Sequence, residues 1–163
     1  MPKLALQIRA QLSGVKELRP STDDAQLVTT VKCTSCQEEH AKPVSFNVTD
    51  EVEVQGGRGV ANFVMHCGFC KNQGSAKFDT PTSKVPLWQS YTGPDYARLT
   101  TLEFRGLEPV GFQADQMTWR CAGEESGTKF DDIALEDGEW TDYDEKTNNE
   151  TSIMEVESKW VRA

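Results

Sequence analysis

Histidine is scarce in this chain: two residues in 163, so few side chains titrate near neutral pH and general acid–base chemistry has few players. No apolar run approaches the roughly 20 residues that a membrane-spanning helix needs. The opening Met1-Pro2-Lys3-Leu4-Ala5-Leu6-Gln7-Ile8-Arg9 is too short and too regularly polar for a secretory signal. No segment shows sustained helical spacing, and no Ser-His-Asp order, phosphate-cradling glycine loop or dinucleotide fingerprint is present. Hydrophobic residues make up 37% and charged residues 26%, so the chain folds rather than staying disordered. These features predict a cytoplasmic protein, with the nucleus also open to it, that is not an enzyme. Two Asn-x-Thr triplets, at Asn47 and Asn149, carry no weight without export.

Basic residues are missing from one part only. The first 120 residues carry 13 acidic and 13 basic groups, whereas residues 121–163 carry 13 acidic and 4 basic ones. The whole net charge of −9 therefore lies in the last quarter. A surface of this sign repels phosphate backbones, which excludes nucleic acid as a partner. It predicts instead an acidic surface for other proteins and no membrane partner. The oligomeric state is not legible.

Alternation dominates the apolar pattern. Leu4, Leu6, Ile8, Ala10 and Leu12 fall on every second residue, as do Val44, Phe46 and Val48, then Met117, Trp119 and Cys121, then Met154, Val156, Ser158 and Trp160. A period of two marks half-buried strands. β-Branched stretches at residues 27–31 and 60–65 agree, and Gly56-Gly57 reads as a hairpin turn. The fold class expected is mostly β.

The chain also echoes itself weakly. Leu6-Gln7-Ile8-Arg9-Ala10 resembles Leu102-Glu103-Phe104-Arg105-Gly106, and Thr30-Val31-Lys32-Cys33 resembles Thr118-Trp119-Arg120-Cys121. Residues 62–66 match residues 152–156 in the same way. The division expected is a β half holding two Cys-x-x-Cys pairs, Cys33/Cys36 and Cys67/Cys70, whose spacing is that of a four-thiolate zinc site (1–79), a Pro/Ser/Thr/Gly-rich connector (80–96) and an acidic β half with Cys121 alone, hence metal-free (97–163), as two bodies or one continuous unit. On this reading Cys121 is a remnant of a lost quartet.

Cysteine carries the chemistry. Cys33-x-x-Cys36 and Cys67-x-x-Cys70 are separated by residues 37–66, and each pair offers two sulfurs from a tight loop after a strand-like stretch. Two such loops complete a four-thiolate tetrahedron with sulfur about 2.3 Å from zinc. The expectation is Zn(2+), one per chain, on Cys33, Cys36, Cys67 and Cys70. Gly68 would let the second loop curl, and Lys32 and Lys71 would offset the site's negative charge. Packed core thiols, disulfides and a thioredoxin-type redox pair are the alternatives. The last needs a helix N-terminus, and Pro43 and Gly74 leave neither pair opening a helix. His40 and His66 lie near enough in sequence to replace a cysteine. Four sulfurs close the shell, so the zinc is expected to be structural, the alternative being a labile site for metal transfer or thiol redox chemistry.

The two pairs, the stretch Gly59-Val60-Ala61-Asn62-Phe63-Val64 and above all Phe104-Arg105-Gly106-Leu107-Glu108-Pro109 together resemble the eukaryotic CXXC-motif-containing zinc-binding protein family. The resemblance runs over nearly the whole chain. It implies a single zinc on those four cysteines, a β-rich body of two related halves and no enzymatic activity.

Other candidates read more simply. Residues 105–109 are a strand end and turn with Arg105 and Glu108 pairing locally, or else a binding loop. The acidic stretch 131–150 is a solvated face or a docking surface for a basic partner. Asp131, Asp132, Asp142 and Asp144 lack the spacing of a calcium loop. The four tryptophans, Trp88, Trp119, Trp140 and Trp160, fit core positions. The function expected is that of a zinc-stapled protein-interaction module.

Overall fold

The computed structural model describes residues 3–56 and 59–163. Its elements are strands, apart from a single 3-10 turn at Ala114–Gln116. In chain order the strands are β1 (Lys3–Ser13), β2 (Val15–Pro20), β3 (Leu27–Thr29), β4 (Val31–Cys33), β5 (Val44–Phe46), β6 (Val52–Glu53), β7 (Val60–Ala61) and β8 (Phe63–His66). Then come β9 (Gln73–Phe78), β10 (Ala97–Arg105), β11 (Leu107–Pro109), β12 (Thr118–Gly123), β13 (Lys129–Ala134), β14 (Trp140–Asp144) and β15 (Asn149–Arg162).

The main sheet has six antiparallel strands in the order β14-β15-β1-β10-β9-β8. About its centre the order matches β1 with β10, β15 with β9 and β14 with β8. β1 and β10 pair at its centre, and each leaves through a glycine in the left-handed region, Gly14 at φ +72 and Gly106 at φ +71. Beyond those glycines the chain crosses over. β2 pairs with β12, and β11 pairs with β4, so each short strand is completed by a partner from the other end of the sequence. In this order β8 stands opposite β14, and β15 opposite β9, which does not match the resemblance read between residues 62–66 and 152–156.

The alternation seen in β1 holds from Leu6 to Gln11, where Leu6, Ile8 and Ala10 are buried and Arg9 and Gln11 exposed, while Ala5 on the other face is buried as well. In β15 it breaks. Glu155 has φ +52, and the register with β1 shifts by one between Glu157 and Met154. This bulge puts Thr151 and Ile153 inward on one side and Val156, Ser158 and Trp160 on the other, so Met154 does not share their face. Residues 60–65 form two strands rather than one. The break is Asn62, whose side-chain amide donates to the Asp50 carbonyl at 2.9 Å and whose side-chain oxygen accepts from the Phe78 N–H at 2.8 Å. β6 and β7 pair as the hairpin reading requires; Gly57 itself lies outside the described residues.

Trp88 and Trp119 are fully buried, and Trp140 and Trp160 pack partly buried against the same core. The connector is docked rather than free. Trp88 donates from its indole N–H to the Asp23 carbonyl at 3.1 Å, and the buried Tyr91 hydroxyl accepts from the Ala10 N–H at 3.1 Å. Aromatic side chains within a polar, turn-rich stretch thus fix it to the core.

Candidate metal centre

Both cysteine pairs sit in turns of one backbone design. In the first, the Cys33 N–H donates to the Glu38 carbonyl at 2.9 Å and the Gln37 N–H donates to the Cys33 carbonyl at 2.9 Å. In the second, the Cys67 N–H donates to the Asn72 carbonyl at 2.9 Å and the Lys71 N–H to the Cys67 carbonyl at 3.0 Å. The residue that reverses the chain is the one after each second cysteine: Gln37 at φ +66 and Lys71 at φ +67. Gly68, expected to provide the curl, is not in the left-handed region, and a side chain there would meet nothing within 4 Å.

The two turns face each other and bring all four sulfurs together. Cys33 and Cys70 lie 3.6 Å apart, as do Cys36 and Cys67, and all four Sγ atoms fall within 4.8 Å of one another. A tetrahedron with metal–sulfur bonds of about 2.3 Å has edges of roughly 3.8 Å, so this spacing fits one ion held by four thiolates. It is far beyond the roughly 2.05 Å of a disulfide. Thiolate tetrahedra select zinc or iron–sulfur chemistry over hard cations.

The electrostatics suit a cation. The Cys36 N–H, followed by that of Ser35, holds the Cys33 thiol down at about 6. The Cys70 and Phe69 N–H groups lower that of Cys67. Cys36 goes the other way, up to about 12: the Glu38 N–H favours its thiolate but is outweighed by burial and the three neighbouring thiols. Sulfurs this close cannot all ionise without a positive charge between them, which a divalent ion supplies.

A third segment clamps both turns. Gly106 accepts from the Thr34 N–H, beside Cys33, at 3.2 Å. Leu107 pairs with Cys33 in the β11–β4 ladder, and its side chain lies over Gly74, where a Cβ would come within 2.3 Å of it. Residues 106–107 therefore touch the start of one turn and the exit of the other. The Arg105–Glu108 pairing expected from sequence does not form. Arg105 binds Glu103 at 3.1 Å, and Glu108 meets Lys32 across the ladder at 3.7 Å. Lys71 donates to the Gly68 carbonyl at 3.0 Å, inside its own turn.

Neither histidine joins the cluster. His66, although next to Cys67, pairs with the Gln55 side chain at 3.1 Å, and the His40 N–H donates to the Val31 carbonyl at 2.9 Å. Cys121 is also apart, buried on β12 opposite Phe130. Burial first, then Asp131 and Asp142, pushes its thiol up to about 12. Asp131, Asp132 and Asp142 are exposed, but Asp144 is only 2% exposed. Nothing in the acidic run distinguishes it in sequence. Phe69, between the second pair of cysteines, is 75% exposed.

With this geometry established, the comparisons are specific. The family model "CXXC motif containing zinc binding protein, eukaryotic" matches residues 5–161. Proteins called CXXC motif containing zinc binding protein are 39% identical in Rattus norvegicus and 36% identical in Homo sapiens, each comparison covering 99% of both chains. Among solved structures, the crystal structure of C1orf123 superposes with a TM-score of 0.87 at 34% identity over 99% of both chains. A hypothetical protein from Plasmodium falciparum shares the fold, with a TM-score of 0.83 at 21% identity, covering 99% of this chain and 100% of the other.

Proposed function

This chain belongs to the eukaryotic CXXC motif containing zinc binding protein family, and from that premise we propose that it binds one zinc ion through Cys33, Cys36, Cys67 and Cys70. The zinc is structural. It cross-links two turns that lie far apart in sequence and so fixes the β4–β11 and β8–β9 pairings around them. The observation that carries this reading is the convergence of four sulfurs within 4.8 Å. Four thiolates leave no open position for water or substrate, which supports a role without catalysis. The work then falls to the surface of an intracellular protein-interaction module. The acidic residues 121–163, with Asp131, Asp132 and Asp142 exposed, are the docking face for a basic partner protein. Among the described residues no helix is long and apolar enough to cross a membrane.

Native mass spectrometry of the purified protein should give one zinc per chain, and none for Cys67→Ser. Complete zinc removal should alter the near-UV circular dichroism. An unchanged spectrum would leave the zinc without its structural role. A second reading, metal transfer or thiol redox chemistry at a labile site, is favoured by the partial exposure of Cys36 and Cys70. The two separate by lability: a structural site resists a mild chelator at neutral pH, whereas a carrier site exchanges within minutes.

A further inference from the structure

The first cysteine turn has a double in the second half of the chain. The Gly123 N–H donates to the Thr128 carbonyl at 2.7 Å and the Gly127 N–H to the Gly123 carbonyl at 3.0 Å, the same two bonds that Cys33 makes with Glu38 and Gln37. Gly127 has φ +70 where Gln37 has φ +66. The Glu124 N–H donates to the Gly14 carbonyl as the Thr34 N–H does to that of Gly106. Gly123 pairs with Val15, one residue past Gly14, as Cys33 pairs with Leu107, one past Gly106.

The second cysteine turn has a double as well. Asp144 pairs with Asn149 at the end of β14, and Asn148 stands at φ +57, four residues on, as Lys71 does after Cys67. Even the glycine contacts repeat. A Cβ on Gly106 would meet the Gln73 carbonyl and Gly74 Cα, and one on Gly14 the Glu150 carbonyl and Thr151 Cα. By these correspondences Gly123, Ser126, Asp144 and Thr147 occupy the places of Cys33, Cys36, Cys67 and Cys70. Cys121 pairs two residues too early and is no remnant of the quartet.

Three of these positions, Gly123, Ser126 and Asp144, also converge. A Cβ on Gly123 would lie 2.3 Å from the Ser126 Oγ and 2.7 Å from the Asp144 Oδ2. The Asp144 carboxylate lies between the two turns, beside Gly123 and Ser126. The Ser126 hydroxyl donates to its Oδ2. The Thr128 hydroxyl and the Lys146 N–H donate to its Oδ1, both at 3.0 Å.

We propose that Asp144, with Ser126 and Thr128, is the metal-free counterpart of the cysteine centre, a carboxylate that ties the 123–128 turn to the 144–149 turn. Each end of the molecule then has its own staple, and only one responds to metal. Buried carboxylates that accept several donors hold a geometry much as an ion does, because leaving those donors unpaired is costly.

The test is residue-resolved amide exchange on the full chain. In zinc-loaded Asp144→Ala, exchange at residues 123–128 and 146–149 should rise at least tenfold, with residues 33–38 and 67–72 unchanged. Chelation of the wild type should do the reverse. Unchanged exchange at 123–128 in the variant overturns the proposal. Thr128→Val removes a single donor and gives the same pattern at lower amplitude, which decides the matter if Asp144→Ala does not fold. In the gain-of-site variant Gly123→Cys/Ser126→Cys/Asp144→Cys/Thr147→Cys, native mass spectrometry should find two zinc ions per chain. One zinc on a folded chain contradicts the correspondence. An unfolded fourfold variant returns the decision to the exchange data.

Discussion

Gly106 meets Gln73 backbone against backbone, so closely that a Cβ on Gly106 would lie 2.7 Å from the Gln73 carbonyl oxygen. Gly106 also sits at φ +71, where a side chain is strained for an independent reason. Because the same residue accepts from Thr34, this contact joins the two cysteine turns through the β10–β11 corner. Gly106→Ala should therefore destabilise the zinc-loaded protein by about 2–4 kcal/mol, from left-handed strain and overpacking together. Urea unfolding measures it, and a loss below about 0.5 kcal/mol would mean that the corner is not a clamp.

The Arg-Gly-Leu-Glu-Pro stretch offers a sharper comparison. If it clamps, its apolar residue matters and its charges do not. Leu107 is 4% exposed and its truncation to alanine should cost about 2–5 kcal/mol. Arg105→Ala and Glu108→Ala break exposed ion pairs and should each change stability by about 1 kcal/mol or less. The opposite ranking in thermal melts would restore the binding-loop reading.

Thiol accessibility should rank the five cysteines. Zinc-bound sulfurs are shielded and Cys121 is a buried, protonated thiol, so the native holoprotein should react slowly with an aromatic disulfide reagent. Chelation should release the four thiols of the cluster, with Cys33 and Cys67 reacting ahead of Cys36, and denaturant the fifth. Cys121→Val should keep zinc and cost less than about 1.5 kcal/mol, since Val31 fills the corresponding place on β4. Loss of zinc in that variant would contradict the geometry.

Asp144 predicts a pH dependence with a definite sign. The Ser126 hydroxyl, with Thr128 and the backbone N–H groups of residues 146 and 147, holds its carboxyl below the ordinary carboxylate range. Protons therefore bind the unfolded chain more readily. The stabilisation is complete above the unfolded value of about 3.9 and fades as pH falls through the lower, folded value. The difference in melting temperature between wild type and Asp144→Asn, both metal-free, should be largest above pH 5 and shrink toward pH 3. A gap that widens on acidification would be incompatible with this assignment.

Much of the centre was legible because its information is local. Two Cys-x-x-Cys spacings specify turns that each present two sulfurs, and alternation along β1 and β12 specifies strands with one buried face. The reversing residues were not legible. Gln37 and Lys71 adopt left-handed φ although neither is glycine, whereas Gly68 does not. The bulge at Glu155 was equally hidden, since the alternation of Met154, Val156, Ser158 and Trp160 looks unbroken on paper.

What the sequence determined by itself is the mostly β class, the two cysteine pairs whose sulfurs come together and the sign of the net charge, because periodicity, residue spacing and charge are properties of short stretches. The tertiary structure alone decided which strands meet. Alternation says which face a side chain takes but not which strand lies beside it, so the crossing of β11 onto β4 and β2 onto β12 could not be read. Nor could the burial of Asp144, because a carboxylate in an acidic run differs from its neighbours only once Ser126 and Thr128 are folded against it.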